Sequence, residues 1–289
     1  MTPVYSICMC NYNMARTLEQ AVTSVAAQLD DRFEIVLVDD GSSDNSVPIM
    51  RNLASQYSSI RIVPLKRDRN RKLGETRNIS IREARGYYCL LHLDCDDVWD
   101  PHIVAWIEVF HQIEAAVGGD VLIAGRQIHM AQRDLLLRHG PYPNIFRGED
   151  RNMYRHFSAL GILWFLEHEV FRTRLSYPKS KYYHRAISHT IDHMTNDFRG
   201  GSRLGSYILS EMVQTTERAS RLILFRLSLL PISWLLAKFK PPIQPGLGAK
   251  GFSEYREKHR GTFSDLMRRY NRAPDWSRLP ASSRPIFDR

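Results

Sequence analysis

The sequence predicts an α/β protein built on a mostly parallel, doubly wound sheet with helices on both faces. Two observations carry this. In the first hundred residues, short apolar runs of strand length alternate with longer segments of helical spacing, the order that parallel strands joined by crossover helices require. One run, FEIVLV (33–38), is apolar throughout, as a strand covered on both faces is. A third observation points to function. The runs end in polar clusters: Cys10-Asn11-Tyr12-Asn13, Asp39-Asp40-Gly41 and Asp94-Cys95-Asp96-Asp97. Ligands of such sheets bind beyond the carboxyl ends of the strands.

The elements follow in order. Residues 4–9 (VYSICM) read as a strand, and Leu18, Ala21, Val22, Val25 and Ala26 give residues 14–28 a helical stripe. The strand 33–38 comes next, then a helix over about 45–57 and a strand over about 60–65. A basic loop, Lys66–Lys72, leads to a helix over about 74–85, and Gly86 opens a strand at Tyr87–Leu91. After the acid cluster, Asp100 is placed to cap a helix that Pro101 opens and that runs to about Ala116. A strand over roughly 120–128 follows. Gly140, Pro141, Pro143 and Gly148 make 129–148 irregular. Glu149-Asp150 starts a helix with Tyr154, Phe157 and Leu160 on one face, and 162–175 is a further apolar stretch.

From about residue 176 the composition changes, with Lys, Arg, Tyr and His crowded into 177–193 and a turn at Gly200-Gly201-Ser202. Residues 203–239 are helical in pattern and end in LILFRLSLLPISWLLAKF (222–239). Arg226 and Pro231 interrupt this run and cations flank it, so an interfacial amphipathic helix pair suits it better than a span. A hairpin packed on the protein's own core, or a dimer contact, would also use it. Residues 241–250 read as a Pro/Gly linker, and 251–289 as a basic tail with a short helix at 252–270 and a loose end. The expected division is therefore 1–200, the α/β domain that carries the polar clusters, and 201–289, a helical, basic appendage.

The 289 residues suffice for one large domain or a domain with an appendage, and 43% hydrophobic with 25% charged residues is ordinary for a globular chain. A net charge of +9 suits a polyanion, an anionic lipid or a phosphorylated small molecule. Four cysteines without a second pair at zinc-site spacing point to buried free thiols. The N-terminus, MTPVYSICMC, shows no basic region followed by a long apolar run, so no signal peptide is expected. The absence of Gly-x-Gly-x-x-Gly and of a P-loop disfavours a dinucleotide site and an ATP P-loop.

The acid cluster is the centre of the chemistry. Asp94, Asp96, Asp97 and Asp100 fall within one short stretch, and carboxylates this close need a cation, a partner base or full hydration. An Asp-x-Asp at the end of a buried strand suits Mg²⁺ or Mn²⁺, which favour oxygen ligands and share them with substrate phosphates. A solvated acidic turn that caps the next helix is the plainer alternative.

Ordered pieces of the chain resemble the inverting family 2 glycosyltransferases with the GT-A fold. They are VYSICMCNYN, FEIVLVDDGSSDNS, Glu75-Thr76-Arg77-Asn78 with Ala84 and Gly86, and LDCDD followed by Pro101, together covering about residues 3–175. The resemblance implies a nucleotide-sugar donor, of UDP type, held through Mn²⁺ or Mg²⁺. It puts Asp96 on the metal, with Asp94 near the metal, sugar or ribose and Cys95 between them. Asn11, Tyr12, Asn13, Asp39 and Asp40 would meet the base, and Lys72 and Arg77 the phosphates. Lys72 could equally belong to a solvated basic loop, and Arg77 to an ion pair with one of the acids. The Glu149-Asp150 pair would supply the base for inverting transfer, with Asp150 taking the proton and Glu149 beside it; both also suit a helix N-terminus. His184, His189 and His193 would offer a third metal ligand, a diphosphate contact, or only a polar face. Cys10 stands where the family often has Pro, with Asn11 inserted after it. No Gln-x-x-Arg-Trp is present, which favours single transfer over processive synthesis.

The acceptor implied is a glycan or lipid-linked saccharide in cell-envelope polysaccharide synthesis. The enzyme would be cytoplasmic and peripheral on the inner membrane face, with contact through 203–240. Two other readings stand beside this one. A sugar nucleotidyltransferase would carry a Gly-rich loop after the first strand, and CNYNMART is not one. A non-catalytic nucleotide- or membrane-binding protein would use the basic charge; nucleic acid is not expected, because the acid cluster repels it and stacking aromatic repeats are absent.

Overall fold

The computed structural model describes residues 2–175, 186–205, 207–208, 220–244 and 246–288. Strands β1 (Tyr5–Asn11), β2 (Phe33–Asp39), β3 (Ile60–Pro64) and β4 (Tyr88–Leu91) alternate with helices α1 (Ala15–Ala26), α2 (Ser46–Gln56) and α3 (Leu73–Glu83). β1 lies between β2 and β4 and is parallel to both, with β3 outside β2. The pleat explains the continuous apolar runs. Ile7, Met9, Ile35 and Leu37 enter the core on one face, and Cys8, Val36 and Val38 the core on the other.

Beyond β4 come a short β5 (Asp97–Trp99), α4 (Ile103–Val117), β6 (Leu122–Ala124), β7 (His129–Gln132), α5 (Arg133–His139), α6 (Glu149–Ala159), β8 (Leu163–Leu166) and β9 (Arg172–Arg174). β7 runs antiparallel between β4 and β6, while β6 and β8 are parallel. β5 and β9 form a separate two-stranded ribbon. The single strand expected over 120–128 is in fact β6 and a turn in which Gln127 has φ +69° and Gly125 N–H donates to Ile128 C=O. That turn sends β7 and α5 through a region expected to be irregular. The sequence HMAQ has no β-branched residue, yet His129, Met130 and Ala131 are buried between the neighbouring strands. Asp100 does not cap α4. The helix starts two residues later, with His102 at its N-cap, and the Asp100 backbone joins Phe171 and His102 instead.

The C-terminal part comprises α7 (Ala186–Arg199), α8 (Ser220–Phe239), α9 (Ala249–His259), β10 (Arg260–Gly261), α10 (Phe263–Arg268) and α11 (Arg284–Phe287). The sheet order is β10-β8-β6-β7-β4-β1-β2-β3. The tail departs most from expectation. β10 adds to the sheet in parallel with β8, and Phe263, Leu266, Met267, Leu279 and Phe287 are buried in the core that holds Trp106 and Phe110. Among the described residues the tail is packed rather than loose, and its apolar side chains share a core with residues that precede the expected boundary at 200. The helix expected over 252–270 is broken at β10, after which Thr262 and Asp265 form a capping box that starts α10.

The expected helix pair in 222–239 is a single helix that passes through Pro231. One face packs on α7 through Met194, Leu230 and Tyr207. Leu224, Ile232, Leu235 and Phe239 remain exposed. Among the described residues, no helix is long and apolar enough to cross a membrane. All four cysteines are free, with Cys8, Cys89 and Cys95 buried.

Candidate active site

The parallel register brings Asn11 and Asp39 side by side at the ends of β1 and β2. Asn11 Nδ2 donates to Asp39 Oδ1 at 2.8 Å, and the Ser42 amide and hydroxyl donate to Asp39 at 2.9 and 2.6 Å. Asp39 is thus fully engaged in shaping its loop. The buried Asn11 Oδ1, by contrast, has no hydrogen-bond partner among the described residues. Asn13, at φ +53°, accepts from the Ser43 and Asp44 amides and pins the same loop. Asp40 pairs with Arg67 at 3.0 Å and with Arg71. The Arg67 guanidinium lies 4.5 Å from the ring centroid of the exposed Tyr12. Lys72 is exposed at the N-cap of α3, and its ammonium donates to the Arg69 carbonyl of its own loop.

After β4, His92 takes φ +68° and turns the chain off the sheet. Asp94 is half-buried, and Asp96 and Asp97 are buried. Each of the three offers an oxygen within 4.8 Å of the others. Between them Cys95 points the other way. It is wholly buried in the core, where burial pushes its thiol well above the ordinary value. Its side chain is not part of the site. Asp97 receives Arg172 at 2.6 Å on Oδ1, while the buried Oδ2 has no partner among the described residues. Burial pushes the Asp97 carboxyl up to about 6, against the pull of Arg172 and Arg174. Arg174 reaches all three acids, 3.6 Å from Asp94, 3.2 Å from Asp96 and 3.6 Å from Asp97.

Helix α3 connects this cluster to the Glu-Asp pair. Arg77 is buried, with Nη2 3.0 Å from Asp94 and Nε 3.6 Å from Glu149. One turn earlier, Gly74 N–H donates to the Ile145 carbonyl at 3.1 Å; one residue later, Asn78 exchanges hydrogen bonds with the Tyr142 backbone. These contacts hold the loop that delivers Glu149 and Asp150 to the start of α6. Glu149 is nearly enclosed, and burial pushes its carboxyl up to about 7 against the attraction of Arg77. Asp150 is half-buried and accepts from the Arg151 amide at 2.7 Å. Below them, Tyr154 on α6 bonds His129, whose ring lies tilted against His92 with centroids 4.4 Å apart; burial pushes His129 down to about 3 and keeps it neutral. On α7, His193 lies 3.5 Å from the buried Asp197, and His189 meets Arg147. Neither belongs to the three-carboxylate cluster, and His184 lies outside the described residues.

The structure therefore brings Asp94, Asp96, Arg77 and Glu149 together, with Asp150 adjoining. It adds Asp97, Arg172 and Arg174, which the sequence reading did not assign. Asp97 was visible as a member of the acid run. The two arginines gave no signal, because they stand 75 and 78 residues beyond the acids they meet.

A mostly parallel sheet with acid clusters beyond its strand ends defines a ligand-binding α/β architecture, and comparison with known proteins narrows it. The description Glycosyl transferase family 2 matches residues 6–175, and the chain belongs to that family. An uncharacterized glycosyltransferase of Nostoc sp. is 39% identical over 113 residues, covering 39% of this chain and 34% of that protein. A cholesterol galactosyltransferase of Borreliella burgdorferi is 31% identical over 143 residues, covering 48% and 37%. The match thus spans little more than a third of these relatives' length. Among solved structures, the Pyrobaculum calidifontis mannosyltransferase PcManGT, with GDP-Man and Mn²⁺, superimposes with a TM-score of 0.50 at 17% identity over 83% of this chain and 74% of its own. Staphylococcus aureus TarS 1-349 with UDP-GlcNAc also gives 0.50, at 15% identity over 81% and 72%. The fold is that of GT-A glycosyltransferases.

Proposed function

We propose that this chain transfers a sugar from a nucleoside diphosphate sugar, of UDP type, to a glycan or lipid-linked saccharide acceptor with inversion at the anomeric carbon. The observation that carries this reading is the Arg77 bridge, which ties the Asp-x-Asp cluster to the Glu149-Asp150 pair across one site. Donor-side and acceptor-side carboxylates are then neighbours, as a direct displacement requires.

The donor set suits a hard divalent cation, Mn²⁺ or Mg²⁺. It consists of three carboxylates within bridging distance, and one buried oxygen of Asp97 lacks any other partner among the described residues. Asp94 and Asp96 would hold such an ion with Asp97 beside them, and it would offset charge on the diphosphate leaving group. On the acceptor side, Asp150 takes the proton of the attacking hydroxyl. Glu149, enclosed and joined to Arg77, fixes the position of the pair at the start of α6. On the base side, Tyr12 offers a ring face, Asn11 Oδ1 an acceptor, and Asp40 a carboxylate reached through Arg67 and Arg71.

A membrane-borne acceptor is favoured by the exposed apolar side chains of α8, which lie beside Lys238 and Lys240. One relative is named for galactosyl transfer and cholesterol, which agrees with a lipid acceptor. The chain would then sit in the cytoplasm, peripheral at the inner membrane face, in envelope polysaccharide synthesis.

The test is a thermal-shift panel of UDP, GDP, CDP, ADP and dTDP with Mn²⁺, Mg²⁺ or EDTA, run on the wild type and on Asp150→Asn. One diphosphate should stabilise both proteins, by about 2.7 kcal/mol at roughly 100 times its dissociation constant, and EDTA should abolish the effect. Asp150→Asn should keep this binding and lose sugar transfer. Full transfer by Asp150→Asn would remove Asp150 as the base, and no shift with any diphosphate would remove the donor reading.

A further inference from the structure

The guanidinium of Arg174 lies among the three carboxylates to which a metal ion is assigned above. It makes one hydrogen bond, to Asp96 at 3.2 Å, and approaches Asp94 and Asp97 at 3.6 Å. Its strand is firmly held. β9 pairs with β5 so that Arg174 stands opposite Asp97, and the Leu175 amide donates to the Asp96 carbonyl at 2.7 Å. Its side chain is not. The Arg174 side chain is 55% exposed, whereas that of Arg172 is 14% exposed and makes a 2.6 Å pair with Asp97. The two arginines of one strand therefore have different tasks. Arg172 is a permanent partner that compensates the buried Asp97. Arg174 is a loosely held cation over the cluster, with long contacts and solvent on its other side.

Electrostatics makes the arrangement exclusive. A divalent ion drawing on the same oxygens would meet the guanidinium at like-charge contact distance, so entry of the ion requires Arg174 to leave the carboxylates. A released guanidinium with planar paired donors beside a metal-bound diphosphate finds phosphate oxygens of the right geometry. We propose that Arg174 is an exchange ligand. It is the counter-ion of Asp94, Asp96 and Asp97 in the empty protein, and a diphosphate-binding residue once metal and nucleotide are loaded. This inference rests on the metal–nucleotide reading given above and adds a residue, and a coupling between metal and diphosphate, to it.

Mn²⁺ binding to the full chain, followed by the electron paramagnetic resonance signal of free Mn²⁺, tests this without any turnover. It compares the wild type with Arg174→Gln and Arg174→Lys, with no nucleotide and then with UDP or GDP. With the internal cation removed, Arg174→Gln should bind Mn²⁺ alone about tenfold more tightly than the wild type. In saturating Mn²⁺ it should bind the diphosphate about tenfold more weakly. Arg174→Lys keeps the charge and the strand but not the planar fork. It should match the wild type for Mn²⁺ alone and bind the diphosphate more weakly. Equal or weaker Mn²⁺ affinity in Arg174→Gln would overturn the counter-ion role, and unchanged diphosphate affinity the ligand role. Both outcomes leave the metal site standing. Absence of Mn²⁺ binding by every protein, with or without UDP and GDP, would overturn the metal reading itself and the exchange with it.

Discussion

A single buried guanidinium, Arg77, meets Asp94 and Glu149, two acids that both follow it in the chain and lie far apart from each other. It keeps two carboxylates in place that would otherwise be expelled from a low-dielectric site. Glu149 still feels its burial, and its carboxyl is raised from the ordinary 4.5 to about 7. A raised acid binds its proton more tightly in the folded than in the unfolded state. The stability this adds is therefore fully present below about pH 4.5 and is lost as pH rises through about 7. The full span is on the order of 3 kcal/mol. Glu149→Gln cannot titrate, so its stability relative to the wild type should rise between about pH 5 and about pH 8, as read by urea unfolding. A constant difference across that range would mean that Glu149 ionises normally. At the same scale, Cys95 shows what a closer reading of the residues would have caught. Cys95 is the one residue of Asp94-Cys95-Asp96-Asp97 that suits an apolar interior, and it is wholly buried in the core. Arg174 was out of reach in a different way, since nothing near it in the chain names its acidic partners.

Among the elements, α3 does the most to assemble the site. Arg77 points from it to the acids, Asn78 grips the Tyr142 backbone, and Gly74 lets the loop before Glu149 pass against it. A Cβ at Gly74 would lie 1.9 Å from the Pro143 carbonyl oxygen, so the helix and loop touch backbone to backbone. Gly74→Ala should cost about 1–3 kcal/mol in urea unfolding and reduce transfer by displacing Asp150. A variant with wild-type stability and rate would show that the loop is free to shift. Helix α8 poses the opposite case, an element with one face packed and the other bare. If the bare face meets lipid, Leu235→Glu should weaken co-sedimentation with vesicles containing anionic phosphatidylglycerol and leave thermal stability unchanged, because Leu235 is 51% exposed. Undiminished vesicle binding would assign that face to something other than a membrane. The elements of the first half were legible because their apolar runs have strand length and their helices a clear stripe. β7 was not, because His129 and Gln132 make a buried strand look like a loop.

Across the whole molecule, one core serves both ends of the chain. Phe263 and Phe287 are fully buried beside Trp106 and Phe110, although they lie in a basic, highly charged part of the sequence. Their spacing was readable, since Phe263, Leu266 and Met267 stand at helical intervals, but the surrounding charge masked it. Phe263→Ala should therefore cost about 3–5 kcal/mol of global stability, seen as a single shifted transition in urea. An unchanged transition would mean that the tail folds apart from the sheet. The sheet also has an order of completion. β8 is made at 163–166, but its partner β10 comes only at 260–261. At roughly 5–20 residues per second, a growing chain would hold that edge open on the ribosome for on the order of 5–20 seconds. An unpaired edge is a template for another chain. Premature termination between β8 and β10 would thus release a polypeptide bearing most of the glycosyltransferase fold and a sticky flank, a substrate for chaperones rather than a smaller enzyme.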